Sequence, residues 1–166
     1  MKPVAPYTLA DAQAAKAWGC NCGPAAIAAI TGRTLEQVRP CLLGFERKGY
    51  TNPTLMYAIL TGMGMHWRLV RPPAGLATWG LMRVQWEGPW TLPGVPIQAR
   101  YRHTHWIGTC LDAGEYWIFD CNAICVGGWL PEAEWTDQLV AWLLRECEPK
   151  ANGRWHITHR LEVERP

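Results

Sequence analysis

The chain has 166 residues, 49% of them apolar and 18% charged, with a formal net charge of +2. That length fits one domain with room for a sizeable core, and the apolar share excludes a disordered chain. A charge this small, carried by scattered basic residues, argues against nucleic acid and against an anionic membrane as partners.

Residues 1–6 lack the long apolar run of a signal peptide, and no segment is apolar over a bilayer's width. Seven cysteines are an odd number, so at least one has no intramolecular disulfide partner. The expectation is a cytoplasmic protein with mostly reduced thiols. In chain order, Thr8-Leu9-Ala10-Asp11 opens an Ala-rich helix reaching Ala17. A second helix runs from about Gly23 to Thr31. Thr34 and Gln37 form a capping-box pattern that starts a third, ending near Gly44. Asn52-Pro53 opens a fourth, Thr54 to Thr61, closed by Gly62. The texture changes at Met65. His66 to Val70 reads as a strand and Pro72-Pro73 breaks it. Residues 75–96 read as an irregular crossover containing one strand, Leu81 to Trp86. His105 to Leu111, a turn at Asp112-Ala113-Gly114, and Glu115 to Asp120 form a hairpin. Pro131 to Cys147 is an amphipathic helix with Trp135, Leu139, Trp142 and Leu143 at helical spacing. Trp155 to Val163 alternates as a final strand. Helices first and strands later point to an α+β class.

The stretch Trp18-Gly19-Cys20-Asn21-Cys22-Gly23-Pro24 governs the functional reading. Pro24 suits a first helical turn. Cys22 therefore falls at a helix N-terminus, where the partial positive charge favours thiolate over thiol. The plain alternative is a structural cysteine on an Ala-rich core helix. A nucleophilic thiol needs a base and a group that orients the base. With an even hairpin loop, His105 stands opposite Asn122, and Asp120 lies one diagonal step away on the same face. Either residue can fix the imidazole tautomer and leave the other ring nitrogen for the thiol. His103 shares that face as a spare. His66, His156 and His159 read as structural or exposed.

Cys22-Gly23-Pro24-Ala25-Ala26 opening a helix, with His105-Trp106-Ile107 entering one strand and Ile118-Phe119-Asp120 ending the next, resembles the nucleophile, His and Asp motifs of papain-like cysteine peptidases. The bacteriocin-processing type is the nearest in pattern. The resemblance spans Trp18 to Asn122. It implies a papain-like α+β fold, in which a helical N-terminal half carrying the thiol packs on an antiparallel sheet from the C-terminal half. It implies Cys22 as nucleophile, His105 as general base and acid, and Asp120 as the orienting residue, with Asn122 as the rival orienter. Such peptidases place a Gln ahead of the nucleophile to donate to the oxyanion. Here Lys16 stands near that position and Gln13 lies further off, so Asn21, Trp18 or the Cys22 N–H would have to donate.

The activity this implies is hydrolysis of a peptide, isopeptide or related amide bond through a thioester, on a peptide or protein substrate and with no cofactor. A deamidase or acyltransferase would use the same residues. Two other classes compete. One is a non-catalytic binding module on a degenerate papain-like fold. The other is a metal site built from the close pairs Cys20/Cys22 and Cys121/Cys125, although neither pair has the usual Cys-x-x-Cys spacing. Eleven tryptophans read first as core; Trp79, Trp86 and Trp90 could instead wall a cleft.

Overall fold

A computed structural model describes residues 7–17, 19 and 22–165. The helical part comprises α1 (Leu9–Ala17), α2 (Cys22–Thr31), α3 (Leu35–Val38), α4 (Phe45–Lys48) and α5 (Pro53–Gly62). Their starts are set by local chemistry. Thr8 and Asp11 exchange bonds, Thr8 N–H to Oδ2 and Asp11 N–H to Oγ1. Thr34 and Gln37 close a capping box, and Asn52 Oδ1 accepts the Leu55 N–H.

The single third helix expected up to Gly44 is instead broken. Pro40, with no N–H to give and a ring that crowds the preceding turn, converts Arg39–Cys41 to a 3₁₀ turn. Gly44 then takes φ 79° before α4 begins.

Six strands form one antiparallel sheet in the order β1-β6-β2-β3-β4-β5. They are β1 (Trp67–Val70), β2 (Trp79–Trp86), β3 (Thr104–Asp112), β4 (Glu115–Phe119), β5 (Trp129–Pro131) and β6 (Trp155–Val163). The protein is thus α+β with an open sheet. The strand expected at Leu81–Trp86 is present and begins two residues earlier, as β2, a central strand buried along its whole length. A short helix, α6 (Ile97–Arg100), follows it, and neither α6 nor β5 has a sequence signal strong enough to read.

The sheet separates two cores. The helical layer packs on the face carrying Leu81, Trp106, Phe119 and Leu161. Approach is closest where α2 crosses β3: a Cβ on Gly108 would sit 3.0 Å from Ile30 Cγ2. The opposite face, with Met82, Val84, Ile107 and Ile118, is covered by the C-terminal helix. That helix begins as α7 (Glu132–Glu134), passes through a π-helical stretch, Trp135–Val140, and continues as α8 (Ala141–Glu146). The π-helical stretch explains a departure from the expected stripe. The wider turn changes the helical phase, so Trp135 and Leu143 are buried while Trp142 is 41% exposed. No helix among the described residues is long and apolar enough to cross a membrane.

Candidate active site

Cys22 is the first residue of α2 and is half-buried. Gly23 beside it is required by packing, since a Cβ there would lie 1.9 Å from Thr51 Oγ1. The sulfur is held by a strand. Pairing between β3 and β4 stops at Gly108↔Phe119, and beyond that point the Trp106 N–H donates to Cys22 Sγ at 3.3 Å instead.

The hairpin turn is the two-residue Ala113-Gly114, with φ 50° and 86°. This is the even loop that puts His105 and Asp120 on one face. The strands diverge after Phe119, and His105 Nε2 meets Asp120 Oδ2 at 2.8 Å. With Nε2 so engaged, Nδ1 is the ring nitrogen left for the thiol, and the two groups lie close enough for each to shift the other's pKa. Asn122 makes no hydrogen bond to His105. Its N–H and side-chain amide both donate to Asp120 Oδ1, at 2.9 Å each. Trp135 Nε1 donates to Asp120 Oδ2 at 3.0 Å. The carboxylate is fully buried, and four donors face it.

These contacts set the charges. Burial opposes ionisation of all three groups. At His105 the charges of Asp120 and Cys22 outweigh burial and hold the imidazole well above its ordinary pKa. At Cys22 the His105 charge, its hydrogen bond and the Trp106 N–H bring the thiol below its usual value. Asp120, facing His105 and its donors, is likewise held low. The arrangement favours a thiolate–imidazolium pair backed by a carboxylate.

Cys22 opens on a cleft of about 1030 Å³. Its walls come from residues 50–54, from Gln98, Tyr101, Arg102 and Thr104, and from a row across three strands, Trp106 on β3, Arg83 on β2 and His159 on β6. Arg83 is a buried cation that sequence reasoning passed over, although a charge between Met82 and Val84 in an apolar strand was the signal. Thr51 and Trp135 were also missed, since only the tertiary fold brings them to the site.

Of the remaining candidates, Gln13 is exposed on α1 and does not line the cleft. Asn21, Trp18 and Cys20 lie outside the described residues, as does the Cys20/Cys22 pairing. Trp79 and Trp86 are core residues of β2, and Trp90 stacks on His103 at 3.6 Å; none walls the cleft. Among the described residues no group of three His, Cys, Asp or Glu side chains is placed to hold a metal ion. No protein-family model matches the chain, and no curated protein and no solved structure matches it either.

Proposed function

We propose that this protein is a cysteine hydrolase of papain-like architecture, acting on a peptide, isopeptide or related amide bond. The observation that carries the reading is the continuous chain from the helix-start thiol of Cys22 through His105 to the buried carboxylate of Asp120. The Cys22 thiolate attacks the substrate carbonyl carbon and forms a C–S bond. His105 gives its proton to the departing nitrogen as the C–N bond breaks. Water then attacks the thioester and gives a proton to His105. The carboxylic acid leaves and the thiolate returns. Asp120 stays ionised throughout and stabilises the imidazolium. The Cys22 backbone N–H, at the start of α2, is the candidate donor to the oxyanion.

The test is labelling with an electrophilic thiol probe, read by peptide mapping. Cys22 should label far ahead of the exposed Cys125 and Cys147, and His105→Ala should abolish that selectivity. Equal labelling of Cys22 and Cys147 would overturn the reading.

A further inference from the structure

The cleft beside Cys22 is positively charged and has no acid of its own. Arg71, Arg83 and Arg102 all line it, and none of its lining residues is Asp or Glu. None of the three arginines forms an ion pair with an Asp or Glu among the described residues. Elsewhere among the described residues four arginines are paired with a carboxylate, Arg39 with Glu46, Arg145 with Glu146, Arg154 with Glu87 and Arg160 with Glu162. The Asp120 carboxylate is fully buried against His105 and does not line the cleft.

Arg83 is the central observation. It is 5% exposed, yet lines the cleft. Its Nη2 donates to Thr104 Oγ1 at 3.0 Å and to the Tyr101 carbonyl at 3.4 Å, and its guanidinium lies over the Tyr101 ring at 5.0 Å, while its Nε is buried with no acceptor. Thr51, 7% exposed on the facing wall, has a hydroxyl with no partner. A cation buried without counter-charge is costly, and such groups are kept where a ligand completes them. The start of α5 adds to the field. Asn52, Pro53 and Thr54 line the cleft, so its positive end faces the same space. His159 pairs with Arg83 in the β2–β6 ladder, at the last position before a bulge. Burial, Arg83 and Arg71 press its pKa down to about 4, so it adds no charge at neutral pH.

We infer that this cleft binds a carboxylate of the substrate, held by Arg83 with Arg71 and Arg102, so that the scissile amide lies near an acidic side chain or a free chain terminus. This rests on the reading of Cys22 as an activated nucleophile. It goes beyond that reading by naming the substrate class.

Two pairs of alkylating agents test it. Iodoacetate and iodoacetamide differ only in the charge next to the reacting carbon. Chloroacetyl-glycine and chloroacetyl-glycinamide differ in the same charge one residue further away. In each, the Cys22 sulfur attacks the methylene carbon, a C–S bond forms and halide leaves. Rates at Cys22 are compared with those at glutathione. At least one anionic-to-neutral rate ratio should exceed that of glutathione by about tenfold or more. That ratio should fall about threefold or more in Arg71→Gln/Arg102→Gln, both exposed positions that spare the core. Arg83→Gln should lower it further if it folds.

His105 also attracts anions, so a high ratio that ignores the arginine substitutions overturns the proposal. So do ratios equal to those of glutathione while Cys22 still reacts fast with iodoacetamide, and that result leaves the activated thiol intact. Slow reaction with all four reagents removes the thiolate reading and the carboxylate site together.

Discussion

Two histidines stand two residues apart, His103 just before β3 and His105 near its start, and each has a carboxylate oxygen at 2.8 Å: His103 with Glu148, His105 with Asp120. Each also stacks near a tryptophan, His103 on Trp90 and His105 beside Trp86. Bond length does not separate them. Water does. The side chains of His103 and Glu148 keep 32% and 22% of their exposure, against 10% and 0% for His105 and Asp120. A wet pair is screened and gains little from its geometry. A dry pair holds its charges firmly, provided that every lone pair is met, and Asp120 meets this through Asn122 and Trp135. Of the two, only His105 lies beside a thiol close enough to exchange charge with it. Desolvation and the third partner, rather than the His–carboxylate contact, mark a candidate catalytic base.

The sharpest way to break this comparison is to remove each imidazole. His105→Ala should slow Cys22 alkylation at mildly acidic pH by about 100-fold or more, whereas His103→Ala should leave it within about twofold. Equal losses in the two variants would mean that both histidines serve the fold alone. Next comes removal of each carboxylate. Asp120→Ala leaves four donors without their acceptor, the buried His105 and Trp135 among them, and should cost about 3–5 kcal/mol. Glu148→Ala should cost about 0–1 kcal/mol. Denaturant unfolding of both variants decides whether the burial difference carries energy.

Acid and alkali should also separate the two pairs. Asp120 is held low, so its contribution is complete above the unfolded carboxylate range and is lost as pH falls through its folded pKa. His105 is held high. Its contribution is complete below the unfolded imidazole range and is lost as pH rises through its raised folded pKa. The buried pair therefore stabilises the protein most between these limits. Asp120→Asn should flatten the acid limb and move the alkaline limb to lower pH. Unfolding free energies measured across pH for Glu148→Gln should keep both limbs in place.

Much of this was legible in the sequence wherever local chemistry decides. Pro24 after Cys22, the Thr34/Gln37 box and Asn52-Pro53 signal helix starts because capping bonds span only a few residues. The turn around Ala113-Gly114 is legible, but its two-residue length, which sets the parity that puts His105 and Asp120 on one face, is fixed only by the pairing of Asp112 with Glu115. What stayed hidden depends on distant partners. Asn122 stands opposite His105 by register counting alone, but the ladder ends at Phe119, and the divergence turns Asn122 onto Asp120. Strand β2 was legible from Leu81 to Trp86, although Trp, Gly and Pro flank it and made the surrounding stretch read as crossover. Its place at the sheet centre comes from β3 and β6, distant in sequence. Arg83 was visible as a charge in an apolar strand, yet its meaning depends on Thr51 and His159 across the cleft.

The smallest expected effect concerns Trp135, whose indole N–H is one of the four donors to Asp120. Its ring lies 1% exposed and packs edge-on against Trp155, with centroids 5.3 Å apart. Trp135→Phe removes the donor while keeping an aromatic ring. Asp120 Oδ2 still has His105, so the lost bond should cost only about 1–2 kcal/mol, and lost packing adds to that. Stability alone cannot assign the cause. The pH profile of Cys22 alkylation can. A less well solvated Asp120 anion binds its neighbouring proton more tightly, which strengthens its hold on the His105 N–H and shifts the alkaline limb of the profile. Trp155→Phe disturbs the same ring pair without touching the carboxylate. It should lower stability and leave the profile where it was. If both substitutions move the profile alike, Trp135 acts through packing, and the dry pair owes its strength to Asn122 and exclusion of water alone.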